Sequence, residues 1–563
     1  MENKEIIRLL RRTASLMEIA GANEFKVRAI NNGIFNLERI EGKLETMTPA
    51  ELQELNGIGK SIAEQIAEII AENESSELRR LTAEIPKGVV EMLNISGIGA
   101  KKIRMLWQEE NITSPIRLRK AINEGRLQKL KGFGDKTVRK ISESLEYYLN
   151  SQHKMLISDA LKLNMEVLNL LRSACPGIRI ETTGALRRKE QVIEELFYIA
   201  EDRSDPFEHF NTIDGLSYDP AISSPFNWRG IHKETGMHVC IRKVPENHFA
   251  SRFFFTTGPM NHISELGMFQ DLQTDEFTSE EEIYKKAGKP FIPADIRIAK
   301  GVLDMEETKL DSLITDKDIR GILHCHSTYS DGQNSIREMV DACRSRGYEY
   351  LGLTDHSKSS FFYANGLFEN RIREQFQEID EIQRELNDFR IFRGIECDIL
   401  SDGSLDYDPD VLEEFDFIII SVHSVLNMDI KTATARLVKA IENPYSTILG
   451  HLTGRLLLRR PGYPLHMPTI LDACQQNNVS IEINANPRRL DIDWTFLPEV
   501  LKRDIRVSIN PDAHNINGFA DVSYGVMAAR KGLVSKEDNL TSLSATDLEM
   551  FFRSRKKTQL SNA

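Results

Sequence analysis

The segment 319–563 contains a series of short apolar runs that almost all end in histidine or a carboxylate. The runs are IRGILHC, YLGLTDH, FRIFRGIEC, FDFIIISVHS, YSTILGHL, VSIEINA and IRVSINPDAH, and helix-like segments separate them. Strands that alternate with helices over this length predict an α/β barrel-like domain with parallel strands. Because the catalytic groups of such barrels gather at the carboxyl ends of the strands, the series predicts one site at that end.

Histidine is concentrated at the ends of these runs. Seven of the thirteen histidines of the chain lie in this segment, and of the seven only His466 does not end a run. In GILHCHSTYSDG, His324 and His326 lie two residues apart, so a strand directs both imidazoles to the same side, towards one metal ion or two adjacent ions. A lone histidine at a strand end is more often an ordinary polar residue than a ligand. Six of them beside carboxylates predict a metal centre.

The series resembles the PHP (polymerase and histidinol phosphatase) domain and matches its motifs residue by residue. The resemblance implies nine metal ligands: His324, His326, Asp331, His356, Glu396, His423, His451, Asp512 and His514. Six imidazoles and three carboxylates suit about three borderline ions, Mn²⁺ or Zn²⁺, better than Mg²⁺. Glu396 is the expected bridge between two of these ions.

The same resemblance assigns the expected chemistry to phosphoester hydrolysis. The predicted catalytic side chains are Asp331, His356, Glu396 and Arg455, with Arg455 as a candidate to hold a substrate phosphate. Arg488, Arg489 and Lys358 are further candidates for the same role, and each of the four cations is as easily a solvated surface charge. Asp355 and Asp398 are expected either to orient ligands or to be N-caps and surface acids.

Three segments in the first third of the chain share one design. LNGIGKSIAEQIAEII (55–70), ISGIGAKKIRMLW (95–107) and LKGFGDKTVRKISESL (130–145) each contain Gly-x-Gly with an apolar centre and then a helix pattern. Two glycines at this spacing allow a tight turn and a close approach, and the next helix N-terminus offers N–H groups to a DNA phosphate. One copy could be a helix C-cap followed by another helix. Three copies resemble the helix-hairpin-helix motif, which grips the DNA backbone.

The hairpins and the cations behind them are the predicted DNA-binding residues. They are Gly57, Gly59, Gly97, Gly99, Lys101, Lys102, Gly132, Gly134 and Lys136. The net charge of −13 is unlike that of a chain whose whole surface binds nucleic acid. Residues 101–140, however, hold 12 Lys+Arg against 4 Asp+Glu, so positive charge is concentrated where two of the hairpins lie.

IAGANEFKVRAI near the start, TTGALRRKEQVIEELFYIA (182–200) and EEIYKKAGKPFIPADIR (281–297) complete a resemblance to the family X DNA polymerases over nearly the first 300 residues. The palm of that family holds two Mg²⁺ ions with three aspartates. Spacing from Gly184 places those positions on Glu195, Phe197 and Cys240. Because one carboxylate cannot hold two hard cations, we expect the polymerase activity to be lost and the core to serve as a DNA platform.

The patterns predict a multi-domain chain with five segments: a helical helix-hairpin-helix domain at 1–80, a second with two hairpins at 81–150, an α+β nucleotidyltransferase-like palm and thumb at 151–302, a linker at 303–318 and a distorted β/α barrel PHP domain at 319–563. The six cysteines lack CxxC spacing, which disfavours thiolate zinc sites and disulfides. Without a long apolar run or a signal-peptide pattern, the expected location is the cytoplasm.

The leading hypothesis joins the two ends of the chain. One chain carries both a module that binds the DNA backbone and a phosphoesterase centre. DNA is the substrate that accounts for both parts. The resemblance implies an Mn²⁺-dependent 3′–5′ exonuclease or 3′-end processing enzyme of DNA repair that acts on gapped DNA or 3′ ends. The alternatives are a small-molecule phosphomonoesterase of the histidinol phosphatase type, a non-catalytic DNA-binding scaffold and a residual template-directed polymerase.

Overall fold

A computed structural model of the chain describes residues 1, 3–37, 43–203 and 206–562. The chain divides into two compact units, the first spanning Met1–Gln152 and the second beginning at His153.

The first unit is built from helices around one apolar core. Its described α-helices are Asn3–Ala20, Glu24–Leu37, Pro49–Glu54, Lys60–Glu72, Ser76–Glu84, Lys87–Glu91, Ala100–Gln108, Pro115–Asn123 and Asp135–Asn150. The residue between the two glycines of each hairpin, Ile58, Ile98 or Phe133, is buried in this core. The apolar centre of each Gly-x-Gly therefore anchors its turn to the rest of the unit.

All three glycine pairs adopt the same local geometry. The first glycine of each pair, Gly57, Gly97 or Gly132, has a φ of +78°, +85° or +86°, a conformation that side chains with a Cβ rarely adopt. The second glycine of each pair is the N-cap of the next helix. These turns confirm the predicted helical hairpins of the first third of the chain.

The second unit begins with a mixed sheet. Its strands are β1 Met155–Leu156, β2 Ile180–Thr183, β3 Val192–Ile193, β4 Glu195–Glu201, β5 Leu216–Tyr218, β6 Asn227–His232 and β7 His238–Val244. Within the described residues, β1 pairs with β3, and the others follow the order β2-β4-β7-β6-β5. Only the β4–β7 pair is parallel among the ladders of that larger sheet. Helices Ile157–Ala174, Gly184–Arg187 and Pro206–Phe210 accompany the sheet.

Short helices follow the mixed sheet and form their own apolar cluster. They are Phe249–Thr257, Met260–Leu266, Asp271–Thr274, Glu280–Lys286 and Glu307–Asp311. The buried guanidinium of Arg297 makes two hydrogen bonds to the carboxylate of Glu280, at 2.9 and 3.0 Å. Arg187 also binds this carboxylate, with N–O distances of 2.8 and 2.5 Å. These three side chains link the helices to the helix that follows β2, with Arg297 and Glu280 buried and Arg187 partly exposed.

The last part of the chain forms a parallel sheet. Its strands are β8 Gly321–Ile322, β9 Tyr350–Leu353, β10 Arg390–Asp398, β11 Phe417–Ser421, β12 Ile448–Leu449, β13 Ser480–Asn484 and β14 Val507–Asn510. Each strand pairs in parallel with the next along the chain. The helices between and after them are Ile336–Ser345, Phe361–Ala364, Glu369–Arg384, Pro409–Leu412, Ile430–Ile441, Met467–Gln476, Leu497–Leu501, Val522–Lys531 and Ala545–Asn562.

The two edges of this sheet meet just beyond β8 and β14. The backbone N–H of His326 donates to the carbonyl of Ala513 at 2.8 Å, and Cys325 and Ala513 form a parallel bridge. The result is a nearly closed barrel, which confirms the predicted fold class. At the amino ends of the strands, Phe552 from the last helix stacks on Phe417 with ring centroids 5.0 Å apart. This helix closes the end of the barrel opposite the carboxyl ends of the strands.

Residues 303–318 pack against both parts of the second unit that they connect. Leu313 is buried among the short helices, and Ile314 is buried in the core of the barrel. The backbone N–H of Ile314 donates to the carbonyl of Val534 at 3.0 Å. All six cysteines are buried. Among the described helices, we find none that is both long and apolar enough to cross a membrane.

Candidate metal centre

The structure brings the nine predicted metal ligands together at the carboxyl ends of the barrel strands. In chain order they are His324, His326 and Asp331 after β8, His356 after β9, Glu396 in β10, His423 after β11, His451 after β12, and Asp512 and His514 after β14. Parallel strands deliver these positions to one face because all their carboxyl ends point the same way.

Glu396 lies at the centre of the cluster. Its Oε1 atom is 2.9 Å from Nε2 of His451 and 3.2 Å from Nε2 of His423. Its Oε2 atom is 2.9 Å from Nδ1 of His356 and 3.7 Å from Nε2 of His326. The two carboxylate oxygens face different imidazoles, so this side chain can bridge two cations.

Asp331 and Asp512 lie on either side of His326. Oδ1 of Asp512 is 3.2 Å from Nε2 of His326 and 3.5 Å from Nε2 of His324. Oδ1 of Asp331 is 3.3 Å from Nε2 of His514 and 3.9 Å from Nδ1 of His326. Asp331 and His514 are about one-third exposed, whereas the two histidines after β8 are buried. The cluster therefore opens to solvent at Asp331 and His514.

Potential ligand atoms gather into three overlapping groups in which all atoms lie within 4.8 Å of one another. The groups are His326, Asp331, His356 and His514; His324, His326 and Asp512; and His356, Glu396 and His423.

Several buried atoms of the cluster have no hydrogen-bond partner in the described structure. They are Nε2 of His324, Nδ1 of His326, Oδ1 of Asp331, Nδ1 of His356, both carboxylate oxygens of Glu396 and Nδ1 of His451. Buried polar atoms are normally paired, because an unpaired one loses its hydration without compensation. Nitrogen and oxygen lone pairs that converge in this way are satisfied by a divalent cation. The residues present could therefore hold metal ions.

Two carboxylates outside the nine ligands orient imidazoles of the cluster. Oε1 of Glu482 lies 2.6 Å from Nδ1 of His324, which leaves Nε2 of that ring directed at Glu396 and Asp512. Oδ1 of Asp398 lies 3.0 Å from Nδ1 of His423. A carboxylate on the second nitrogen of a ligating histidine fixes its tautomer and raises its basicity.

The electrostatics of the cluster favour ionised carboxylates. Burial alone would raise the pKa of Glu396, but the surrounding imidazoles, His423 foremost, hold it well below its ordinary value. Burial lowers the pKa of His326 to about 3, and the charge of His514 acts in the same direction. At neutral pH His326 is therefore in the neutral form that binds metals. Burial opposes protonation of His423, yet Glu396 and Asp398 raise its pKa to about 10, so a cation would displace that proton.

Arg455 was predicted as a catalytic side chain, and in the structure its guanidinium is bound by other protein groups. Its Nη1 atom donates to Oδ2 of Asp493 at 2.5 Å, and its Nε atom donates to the carbonyl of Arg489 at 2.9 Å. Its Nη2 atom donates to Oε1 of Gln191 at 3.1 Å. All three nitrogens are occupied by protein groups because the loop after β13 folds over this guanidinium. The Nε atom of Arg489 instead lies 3.5 Å from Oδ2 of Asp512, at the cluster.

Other charged residues of the barrel loops have structural partners. Lys358 pairs with Glu369 at 2.8 Å. Asp355 accepts hydrogen bonds from the backbone N–H groups of Ser327 and Ser330, at 2.8 and 3.1 Å, and so holds the loop that carries the first ligands.

The three palm positions of the polymerase-like region lie side by side. Phe197 on β4 is in register with Cys240 on β7, and Glu195 lies at the start of β4. Oε1 of Glu195 accepts a hydrogen bond from Nη1 of Arg229 at 2.8 Å. The Phe197 side chain packs against Gly184, where an added Cβ would lie 3.3 Å from Cβ of Phe197. Burial raises the pKa of the Cys240 thiol to about 12. This place therefore offers one carboxylate, already paired with a cation.

In the first unit, cations behind the second and third hairpins share one cleft. The cleft has a volume of about 270 Å³ and is lined by Gly97, Lys102, Lys136, Thr137, Lys140 and Ile141. Lys101 is exposed on the helix that also carries Lys102. Positive charge is thus gathered at two tight turns whose glycines leave the backbone accessible, as a phosphate backbone requires.

Fold and site together define the class of protein: helix-hairpin-helix modules ahead of a barrel of the PHP type. Residues 1–75 match the model of a helix-hairpin-helix domain, residues 89–146 that of a SAM-like helix-hairpin-helix tandem, and residues 323–486 that of the PHP domain. The chain is 36% identical to the DNA polymerase/3′-5′ exonuclease PolX of Bacillus subtilis, over 98% of this chain and 100% of that protein. It belongs to the PolX family, the family X DNA polymerases that carry a C-terminal PHP domain.

Part of the chain is also similar to probable phosphatases. A probable phosphatase of Caldicellulosiruptor saccharolyticus is 29% identical over 29% of this chain and 64% of its own length. A probable phosphatase of Clostridium acetobutylicum is 30% identical over 29% of this chain and 63% of its own length.

Proposed function

We propose that this chain is a metal-dependent DNA phosphodiesterase that shortens or repairs 3′ ends with its barrel. The observation that carries the proposal is the convergence of eight imidazole and carboxylate side chains around Glu396, whose two oxygens face five different imidazoles. The name of the Bacillus subtilis relative includes a 3′-5′ exonuclease, which supports this direction of attack.

The proposed cofactor is Mn²⁺ or Zn²⁺, with three ions held by the nine ligands. Mixed nitrogen and oxygen ligation favours such borderline ions over Mg²⁺. Bound ions would supply Lewis-acid charge that polarises the phosphodiester and eases deprotonation of a water molecule.

The protein side chains set the geometry of this reaction. Glu396 holds the ligand groups together, and Glu482 and Asp398 fix the orientations of His324 and His423. Asp331 lies at the solvent-exposed edge, where a phosphate would enter, and Arg489 is a cation that contacts the ligand Asp512. A guanidinium at this position can neutralise a phosphate oxygen.

The hairpin unit is proposed to keep DNA on the enzyme. Its cleft of lysines and its exposed turns bind the phosphate backbone without regard to sequence. Because both units are on one chain, weak backbone contacts raise the effective concentration of a 3′ end at the barrel. Gapped DNA and free 3′ termini are the proposed substrates.

The palm is proposed to have lost nucleotidyl transfer. Two of the three positions expected to carry metal-binding aspartates hold Phe197 and Cys240, and the remaining carboxylate, Glu195, is paired with Arg229. Two divalent ions close together need several oxygen ligands, which this place does not offer.

The test is digestion of a gapped duplex labelled at the 5′ end of the strand whose 3′ terminus borders the gap. With Mn²⁺, the wild type should shorten that strand and His324→Ala should not. Phe226→Ala, a change at an exposed palm residue, serves as the matched control. Equal shortening by wild type and His324→Ala would refute the proposal.

A second candidate is a phosphomonoesterase for small substrates. The similarity of part of the chain to two probable phosphatases favours it. It is separated from the first by comparing hydrolysis of the gapped duplex with release of phosphate from a 3′-phosphorylated oligonucleotide and from a small phosphate ester. Activity on the small ester alone would favour this second candidate.

A further inference from the structure

An unusual set of aromatic side chains is exposed beside the metal centre. In the segment SSFFYANGLF, which begins three residues after His356, Phe362 is 77% exposed, Tyr363 59% and Phe368 43%. Three phenylalanine rings are in contact, since Phe361 lies 5.7 Å from Phe362 and 5.3 Å from Phe368 between centroids. Clustered exposed aromatic surface marks a binding site more often than a single exposed residue does.

Two sets of contacts tie this segment to the mouth of the cluster. The hydroxyl of Tyr363 lies 2.6 Å from Oγ of Ser360, which donates to Asp398 at 2.5 Å, and Asp398 in turn contacts the ring of His423. Farther along, Nδ2 of Asn365 lies 3.5 Å from the carbonyl of Ser330, the residue before Asp331. The aromatic segment therefore borders the cluster at its exposed edge.

The segment is held rigidly from beneath. The backbone N–H of Ser359 donates to Asp406 at 2.6 Å, and Arg371 donates to the carbonyls of Asn365 and Tyr329 at 3.1 and 2.6 Å. At Gly366 an added Cβ would lie 1.9 Å from the carbonyl oxygen of Ser357, so glycine is required for the loop to close on itself. A preformed surface loses little conformational entropy when it binds a ligand.

We propose that Phe362 and Tyr363 form a stacking platform for the unpaired bases at the 3′ end of a DNA strand whose terminal phosphodiester lies in the metal centre. The inference rests on the proposed function and adds what the ligands cannot provide: a preference for frayed or single-stranded ends. Every base has a π-face, so aromatic side chains bind unpaired strands without reading their sequence. Bases within a duplex are stacked on their neighbours and cannot use the platform.

The position of the aromatic segment identifies the ligand that it would bind. A phosphodiester held at Asp331 and His514 would have its adjacent bases within one or two nucleotides of the exposed edge, which is where the aromatic segment lies. The aromatic rings lie beside polar and charged groups, among them Ser360 and Asp398, rather than within a broad apolar face. This mixture fits a nucleotide, which is apolar on its base faces and charged at its phosphate.

The test compares two oligonucleotides that end in the same two unpaired 3′ nucleotides, one with bases and one with abasic sugars. With Mn²⁺, Phe362→Ala should lower kcat/KM about tenfold on the strand with bases and leave it unchanged on the abasic strand. Phe362→Trp and Tyr363→Phe keep the rings and should retain activity on both. Phe226→Ala, at a phenylalanine of the palm that is 66% exposed, should change neither.

A binding measurement keeps the inference separate from the proposed hydrolysis. With chelator present, wild type should change the fluorescence of 2-aminopurine placed at the 3′ terminus, and Phe362→Ala should reduce this change, whether or not the protein cuts DNA. If the wild type does not cut DNA, the proposed hydrolysis is refuted, but the fluorescence result still tests the platform. Equal losses on both strands would indicate a structural role, and no loss with unchanged fluorescence would show that these rings do not bind bases; either outcome overturns the platform.

Discussion

The carboxylate of Glu482 lies 2.6 Å from Nδ1 of His324, although the two residues are 158 positions apart in the chain. The same carboxylate accepts the backbone N–H of His451 at 2.7 Å through its other oxygen. Glu482 therefore sets the orientation of one ligand ring and of the backbone that carries another. Its role is to position the cluster, since it contacts the metal-facing side of neither ring.

Replacing Glu482 by Gln should weaken metal binding without removing a ligand. The amide can no longer accept from both His324 and the backbone as a charged group, so the ring loses its fixed tautomer. We expect metal affinity to fall about 10- to 100-fold, as is usual when such partners are lost. The measurement is metal content by elemental analysis after dialysis against graded chelator. Glu499→Gln, at a surface position that pairs with Lys502, should match the wild type; equal retention in Glu482→Gln would contradict the assigned role.

Lys136 is expected to contribute to DNA affinity in a sequence-independent way. Lys136→Ala removes one cation from the cleft of the hairpin unit and should weaken binding to unrelated duplexes by similar factors. The slope of the logarithm of affinity against the logarithm of salt concentration should fall by about one. Fluorescence anisotropy at several salt concentrations measures both. Arg80→Ala is the control, because Arg80 is already bound to Glu77 and Glu84; an unchanged slope for Lys136→Ala would place DNA elsewhere.

Primer extension should be absent. The palm offers Glu195 alone where two metals require several carboxylates. The assay is best done in the His324→Ala background, so that removal of nucleotides by the barrel cannot hide their addition. The Bacillus subtilis relative, whose name includes a DNA polymerase, provides the positive control. Template-directed extension by the variant would show that the palm binds its metals in another way.

Stability should depend on the ionised state of Glu280. Burial alone would raise its pKa, but Arg187 and Arg297 lower it to about 2 from an ordinary value of 4.5. The folded form therefore binds this proton less readily than the unfolded form, so the stabilisation is complete above pH 4.5 and is lost as the pH falls towards 2.

Glu280→Gln tests this dependence. It leaves the buried Arg297 without its counter-charge and should lower the free energy of unfolding of the second unit by about 3 to 5 kcal/mol at pH 7. The deficit relative to wild type should shrink at pH 3. Urea denaturation followed by the fluorescence of the buried Trp228 is the measurement. Glu281→Gln, exposed on the same helix, should behave like wild type at both values; a deficit that does not change with pH would rule out ionisation as its cause.

Much of the barrel could be predicted from local sequence because each strand ends at its own functional group. His423 follows the run FDFIIIS and His451 follows YSTIL, so each ligand lies beside its strand in the sequence. Parallel strands then bring these ends to one face without any further information. The helical hairpins were predictable for the same reason, because each Gly-x-Gly pair indicates a tight turn at its own position.

Contacts between distant loops could not be predicted in this way. Arg455 follows His451 by four residues, which suggested a cation at the metals, but Asp493 from a later loop binds its guanidinium. Glu482 ends an apolar run as the ligands do, and this was the available signal for its role. Only the fold shows that it faces His324 rather than the cluster interior. Pairings of this kind depend on which loop folds over which strand end.

The stacking of Phe552 on Phe417 has a consequence for the order of synthesis. The backbone N–H beside β8, at Arg320, also needs the carbonyl of Thr541. Thr541 and Phe552 must therefore be synthesised before the barrel can be sealed, whereas the buried apolar residues described for the first unit all lie at or before Leu145. In a nascent chain the hairpins would be complete long before the metal centre, and a chain that ends before Thr541 would lack both contacts that seal the barrel.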